Sequence, residues 1–97
     1  MYKIVAVGRA KPGKIREGLA ANKALAEHVG SKYDVKIEVY LQQFGPAGTI
    51  YMIGELPDLA SSQALQGKLM KDETYWGLVQ KAAEVVDPPT FSLLQQV

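Results

Sequence analysis

The chain has no cysteine. Disulfides, thiolate nucleophiles and cysteine-ligated zinc or iron–sulfur centres are therefore excluded. It has one histidine, His28, so no two-histidine metal site can form within a subunit, and no metal is expected. Charge of one sign is also lacking: eleven basic residues against ten acidic leave a formal charge of +1. Nucleic-acid binding requires a concentrated basic face, and nothing here offers one. No apolar run approaches the roughly 18 residues of a membrane span. Met1-Tyr2-Lys3-Ile4 lacks the apolar core and cleavage pattern of a signal peptide. The expectation is a cytoplasmic protein without nucleic-acid or membrane partners. At 97 residues it is a single domain spanning 1–97.

The stretch from Tyr33 to Leu56 is the most informative. Val35, Ile37, Val39 and Leu41 alternate with Lys36, Glu38, Tyr40 and Gln42, the period of a strand. Gly45-Pro46-Ala47-Gly48 supplies turn residues. A second run follows, with Ile50, Met52 and Leu56 on one face and Tyr51 and Ile53 on the other. The two runs form a hairpin. Both faces of the second run are apolar, whereas a half-solvated sheet would show one polar face. Something must cover the second face.

Tyr2 to Val7 is apolar on both parities and suits a central strand. Lys14 to Val29 has helical spacing, with Ile15, Leu19, Leu25, Ala26 and Val29 on one stripe. Gly18 on that stripe suits close approach of another backbone, and Gly30 reads as the helix stop. Pro57-Asp58 opens a second helical stretch with Pro57 in its first turn. Asp72 reads as a fresh N-cap that breaks this stretch in two, with Trp76, Val79, Ala83 and Val86 facing inward beyond it. Asp87-Pro88-Pro89 ends it, and Phe91 to Val97 closes the chain as a strand. The order β-α-β-β-α-β, with a broken second helix, predicts a ferredoxin-like α+β fold with a four-stranded antiparallel sheet. Both helices then lie on one face, and a second copy would cover the other.

Three stretches carry a family resemblance: Lys11-Pro12-Gly13-Lys14 entering the first helix, the alternating hairpin, and Leu69-Met70-Lys71-Asp72-Glu73-Thr74-Tyr75-Trp76. Over essentially all 97 residues the chain resembles the dimeric α+β barrel superfamily. Within it, the chain is most similar to antibiotic-biosynthesis-monooxygenase-like and NIPSNAP-like domains. The resemblance implies a homodimer whose sheets form a barrel, with a small-molecule pocket between sheet and helices in each subunit. That superfamily holds cofactor-free monooxygenases, haem-degrading enzymes, lactone isomerases and proteins without known activity. Haem-degrading relatives use a histidine in the second helical region. This chain has none between Pro57 and Val97, which argues against haem, and no cofactor is expected.

Gly8-Arg9-Ala10-Lys11-Pro12-Gly13-Lys14 fits G-x-x-x-x-G-K, but the next residue is Ile15 rather than a magnesium-holding Ser or Thr. Pro12 also removes a backbone donor from the cradle. The reading is an ordinary loop, with Arg9, Lys11, Lys14 and Arg16 as a looser anion-attracting cluster. Asn22 sits near the centre of the apolar stripe and needs a partner there. Ser62 and Gln66 face inward on the second helix, so Asn22, Ser62, Gln66 and Trp76 are the candidate ligand-binding set. His28 lies to the side of the stripe and reads as flanking or solvent-facing. With Asn22 it is a candidate catalytic residue, because an imidazole can both take up and release a proton. Glu38, Tyr40, Gln42 and Tyr51 are assigned to the dimer interface.

Two functions follow from this reading. One is a cofactor-independent enzyme of monooxygenase or isomerase type acting on a small apolar or aromatic molecule. The other is a non-catalytic dimeric module that binds a ligand or a protein. No Ser–His–Asp set or paired-carboxylate arrangement points to a particular reaction.

Overall fold

The computed structural model describes residues 1–97. Four strands and three helices follow in the order β1 (Tyr2–Arg9), α1 (Ile15–Tyr33), β2 (Ile37–Leu41), β3 (Thr49–Leu56), α2 (Leu59–Met70), α3 (Glu73–Ala83) and β4 (Thr90–Gln95). The sheet order is β2-β3-β1-β4, and every neighbouring pair is antiparallel. This is the expected ferredoxin-like arrangement, with the doubly apolar β1 in the centre.

Register sorts the side chains. Ile4 lies opposite Gly54 and Leu93, and Gly54 lies opposite Ile37. This parity faces the helices: Ile4 and Ile37 pack on a core of Val29, Leu56 and Leu65, joined by Tyr33, Val35, Leu69 and Tyr75. The other parity carries Val5, Ile53 and Glu38 in one row and Val7, Tyr51 and Tyr40 in the next. No element of the chain lies over it.

The hairpin joint is a loop from Gln42 to Gly48 rather than a tight turn. Gly45 and Gly48 take φ of 107° and 81°, which only glycine adopts without strain. Ala10 N–H donates to the Gly48 carbonyl at 2.8 Å, locking the loop to the end of β1.

Helix α1 does not stop at Gly30. It runs on to Tyr33 and is closed by Asp34 in the left-handed region, φ 53° and ψ 48°. Gly30 serves a different end: a Cβ there would lie 3.0 Å from the Val35 carbonyl oxygen, so its absence lets β2 begin tight against the helix. Gly18 likewise gives room, but to side chains rather than to a backbone. Val86, Ala10 and Ile50 fill the space within 3.2–3.3 Å of where its Cβ would be.

Glycines 30 and 67 make an opposed pair for testing. Gly30→Ala should destabilise by about 1–2 kcal/mol despite better helix propensity, because the neighbour is fixed backbone. Around Gly67 there is open space. Gly67→Ala should therefore stabilise by about 1 kcal/mol. Urea denaturation of the two variants reads both signs.

Pro57 lies outside α2. Asp58 is the cap, accepting the Ser61 N–H at 2.7 Å. The break at Asp72 is as expected: Lys71 ends α2, and Asp72 caps α3 by accepting the Tyr75 N–H at 3.0 Å. That cap sets the rotation of α3, so its inward stripe is Tyr75, Val79 and Ala82, not Trp76 and Ala83. Strand β4 is exposed throughout, because the helix layer does not reach over it.

Candidate functional site

The densest polar arrangement in the molecule is at the α2–α3 break, against the last turns of α1. The Asp72 side chain is 2% exposed. Its Oδ1 takes the capping bond from Tyr75. Its Oδ2 accepts from His28 Nε2 at 2.7 Å and Tyr33 Oη at 2.6 Å, with Lys32 Nζ at 3.5 Å. The Tyr33 hydroxyl bond foremost, then the Tyr75 N–H, holds the carboxyl well below its usual range, with His28 adding to the effect. The same bond pushes the Tyr33 hydroxyl up. An ionised carboxylate only accepts, so His28 must carry its proton on Nε2. Lys32 also lies 5.6 Å from the centre of the Tyr33 ring. A shallow depression opens beside this group, lined by Ala24, Glu27, His28, Ser31 and Lys32.

His28 is therefore not the solvent-facing residue that the helical wheel suggests. Its side chain is 19% exposed and tied to Asp72. The sequence reading missed Asp72, Tyr33 and Lys32 as a group. Asp72 was seen only as a cap, and ending α1 at Gly30 removed Lys32 and Tyr33 from the helix.

The expected ligand-binding set does not converge in the subunit. Asn22 does lie on the inward stripe with Gly18, Leu25 and Val29, but its amide donates back to the Gly18 carbonyl at 2.8 Å. Ser62 is buried in α2. Gln66 is exposed, because α2 turns Ser62, Leu65 and Leu69 inward instead. Trp76 is 42% exposed, with its indole N–H on the Met70 carbonyl at 3.2 Å. No hydrogen bond links any two of the four.

On the opposite side of the sheet, Tyr51 Oη donates to Gln42 Oε1 at 2.9 Å, and Gln42 Nε2 donates to the Phe44 carbonyl at 2.7 Å. Tyr40 stands directly across from Tyr51, and Glu38 across from Ile53. Of the basic cluster, Arg9 and Lys11 line a second cavity of about 470 Å³, with Pro12, Gly13, Ile15 and Asp87 among its other walls. Arg9 Nε is occupied by the Ala47 carbonyl. No group of three or more His, Asp or Glu side chains is placed to hold a metal ion. No helix is long and apolar enough to cross a membrane.

No family model and no curated protein sequence matches the chain. Solved structures do. A NIPSNAP domain protein from Burkholderia xenovorans aligns with a TM-score of 0.85 at 14% identity, over 100% of this chain and 95% of its own. An antibiotic biosynthesis monooxygenase aligns at 0.75 with 23% identity, over 100% and 99%. A dimeric protein of unknown function and ferredoxin-like fold from Bacteroides fragilis aligns at 0.73 with 15% identity, over 98% and 95%. Over its whole length, this chain has the ferredoxin-like α+β fold found in NIPSNAP domain proteins and in an antibiotic biosynthesis monooxygenase.

Proposed function

We propose that the chain works as a homodimer closed sheet to sheet, forming an α+β barrel that handles a small apolar or aromatic molecule. The observation that carries the dimer is the exposed area. The isolated chain exposes 6504 Å², whereas a folded monomer of its mass exposes roughly 5,500 Å². The surplus of about 1,000 Å² matches the roughly 800 Å² that each partner buries in a standard interface. It arises from shape: the subunit is a slab of 38 × 34 × 19 Å. Two slabs stacked on their bare sheets would be close to equidimensional. Glu38, Tyr40, Gln42 and Tyr51 are the interface residues of this reading, around Val5, Val7 and Ile53. Sedimentation across a dilution series should give twice 10.6 kDa. A mass of one subunit at micromolar concentration would overturn the dimer.

Two features support a ligand role. Phe91 and Leu93 share the helix-facing parity of the sheet, yet are 64% and 44% exposed. They leave apolar surface open on that face of β4. One of the structures sharing the fold is an antibiotic biosynthesis monooxygenase. Asn22, Ser62, Gln66 and Trp76 stay the candidate ligand-binding residues on the helix side, with Asn22 and His28 as catalytic candidates. The alternative is a non-catalytic module for ligand or protein binding, and the lack of convergence among these four in one subunit favours it. The readings separate on Asn22→Ala, which should lower turnover of an enzyme while leaving the dimer intact.

A further inference from the structure

The His28–Asp72 pair does more than clamp α1 to α3. A clamp needs only Nε2. The other ring nitrogen, Nδ1, has no hydrogen-bond partner in the protein, and the ring borders the depression formed with Glu27, Ser31 and Lys32. Because Asp72 fixes the proton on Nε2, Nδ1 presents its lone pair. A histidine held in one tautomer by a buried carboxylate, with its free nitrogen at an accessible surface, has the geometry of a general base.

We infer that His28 is the base of a proton-transfer site on the helix layer, acting on a small neutral carbonyl compound with an acidic C–H. In that step Nδ1 takes the proton, the C–H electron pair moves into the enolate, and the negative charge settles on the carbonyl oxygen. Lys32, whose ammonium lies 3.5 Å from Asp72 Oδ2 and borders the same depression, is the cation nearest to that carbonyl oxygen. His28, now protonated on both nitrogens, is balanced by Asp72 through Nε2. When the compound is a β,γ-unsaturated carbonyl the enolate is a dienolate, and returning the proton to its γ carbon moves the double bond into conjugation, a net isomerisation that needs no oxidant or reductant. The carboxylates of Asp72 and Glu27 outnumber the one ammonium of Lys32 here, which suits a neutral substrate better than a phosphate. Asp72 and Tyr33 are positioning residues: Tyr33 shares Oδ2 with His28 and helps keep the carboxylate ionised. This site is on the helix layer, away from the bare sheet face, so it stands or falls separately from the dimer.

The test uses a substrate-independent probe of base strength and placement, 5-nitrobenzisoxazole. A base removes its ring C–H proton, the pair forms the nitrile, the N–O bond breaks, and a coloured cyanonitrophenolate leaves. The wild-type dimer should open it at least tenfold faster than an equal concentration of free imidazole. His28→Gln should fall to the buffer rate. Asp72→Asn should lose most of the rate and displace the pH–rate profile, which a purely structural role would not do. A wild-type rate no higher than that of folded His28→Gln overturns the proposal. If the variants fail to fold, ¹⁵N spectra of the wild-type imidazole decide. Protonated Nε2 with unprotonated Nδ1 in the neutral ring is required, and the reverse tautomer overturns the proposal.

Discussion

Asp72→Ala should lower the melting temperature by roughly 10 °C, the largest loss expected from any single polar substitution here. Three losses coincide. The first turn of α3 loses its cap on the Tyr75 N–H. The Tyr33 hydroxyl and His28 Nε2–H lose their acceptor. The joint that seats α3 against α1 loses the carboxylate both helices share. Asp58 provides the contrast: it caps α2 with the same kind of bond, to the N–H three residues on, but at the surface and with no hydrogen-bond partner from another element. Asp58→Ala should cost only a few degrees.

Differential scanning calorimetry of the two variants reads the difference, and equal shifts would mean that the α1 contacts contribute nothing. Acid sharpens the comparison. The folded Asp72 carboxyl lies below its ordinary value of 3.8, so its contribution is complete above that value and drains away as pH falls through it. Asp72→Asn should therefore have a flatter loss of urea stability below about pH 4 than the wild type. Parallel acid limbs would sink the assignment.

Ile53→Lys should take the proposed dimer apart. Ile53 sits on the bare sheet face between Val5 of β1 and Glu38 of β2. A two-fold interface presents each substitution twice, and burying two ammonium groups there costs more than the neighbouring Glu38 carboxylates return. Dissociation should become at least about 100-fold easier, equivalent to about 3 kcal/mol or more. Gln63→Lys, on the exposed side of α2, should leave the mass unchanged. Retention of the double mass by Ile53→Lys would move the seam elsewhere. Loss of mass with a lower melting temperature would show that each subunit leans on the other for stability.

The sheet was legible in the sequence because alternation is a local signal. Ile37 and Val39 declare a face, and the double apolarity of Val5 and Val7 declares a centre. The cap at Asp72 was legible too, since Asp before Glu73 is a local pattern. The site was not. His28 meets a carboxylate 44 positions away, and no periodicity reports such a meeting. Gly30 misled by looking like a stop when it is a seat for the Val35 carbonyl, and that error hid Lys32 and Tyr33. What could have flagged the cluster is the close spacing of His28, Lys32 and Tyr33 at one helix end. Three donors there require an acceptor somewhere on the facing helix. Gln66 and Trp76 failed to face inward for a related reason: the caps at Asp58 and Asp72, not hydrophobic spacing, set the rotation of α2 and α3.

The position of β1 in the sheet has a consequence for how the chain folds. Its ladders are to β3 and β4, with Tyr2 opposite both Leu56 and Gln95. β1 thus waits for β4, and ring closure over most of these 97 residues must precede its full pairing. High sequence separation of this kind slows folding. In the interval a strand greasy on both sides has one edge unpaired, so refolding yield should fall with protein concentration.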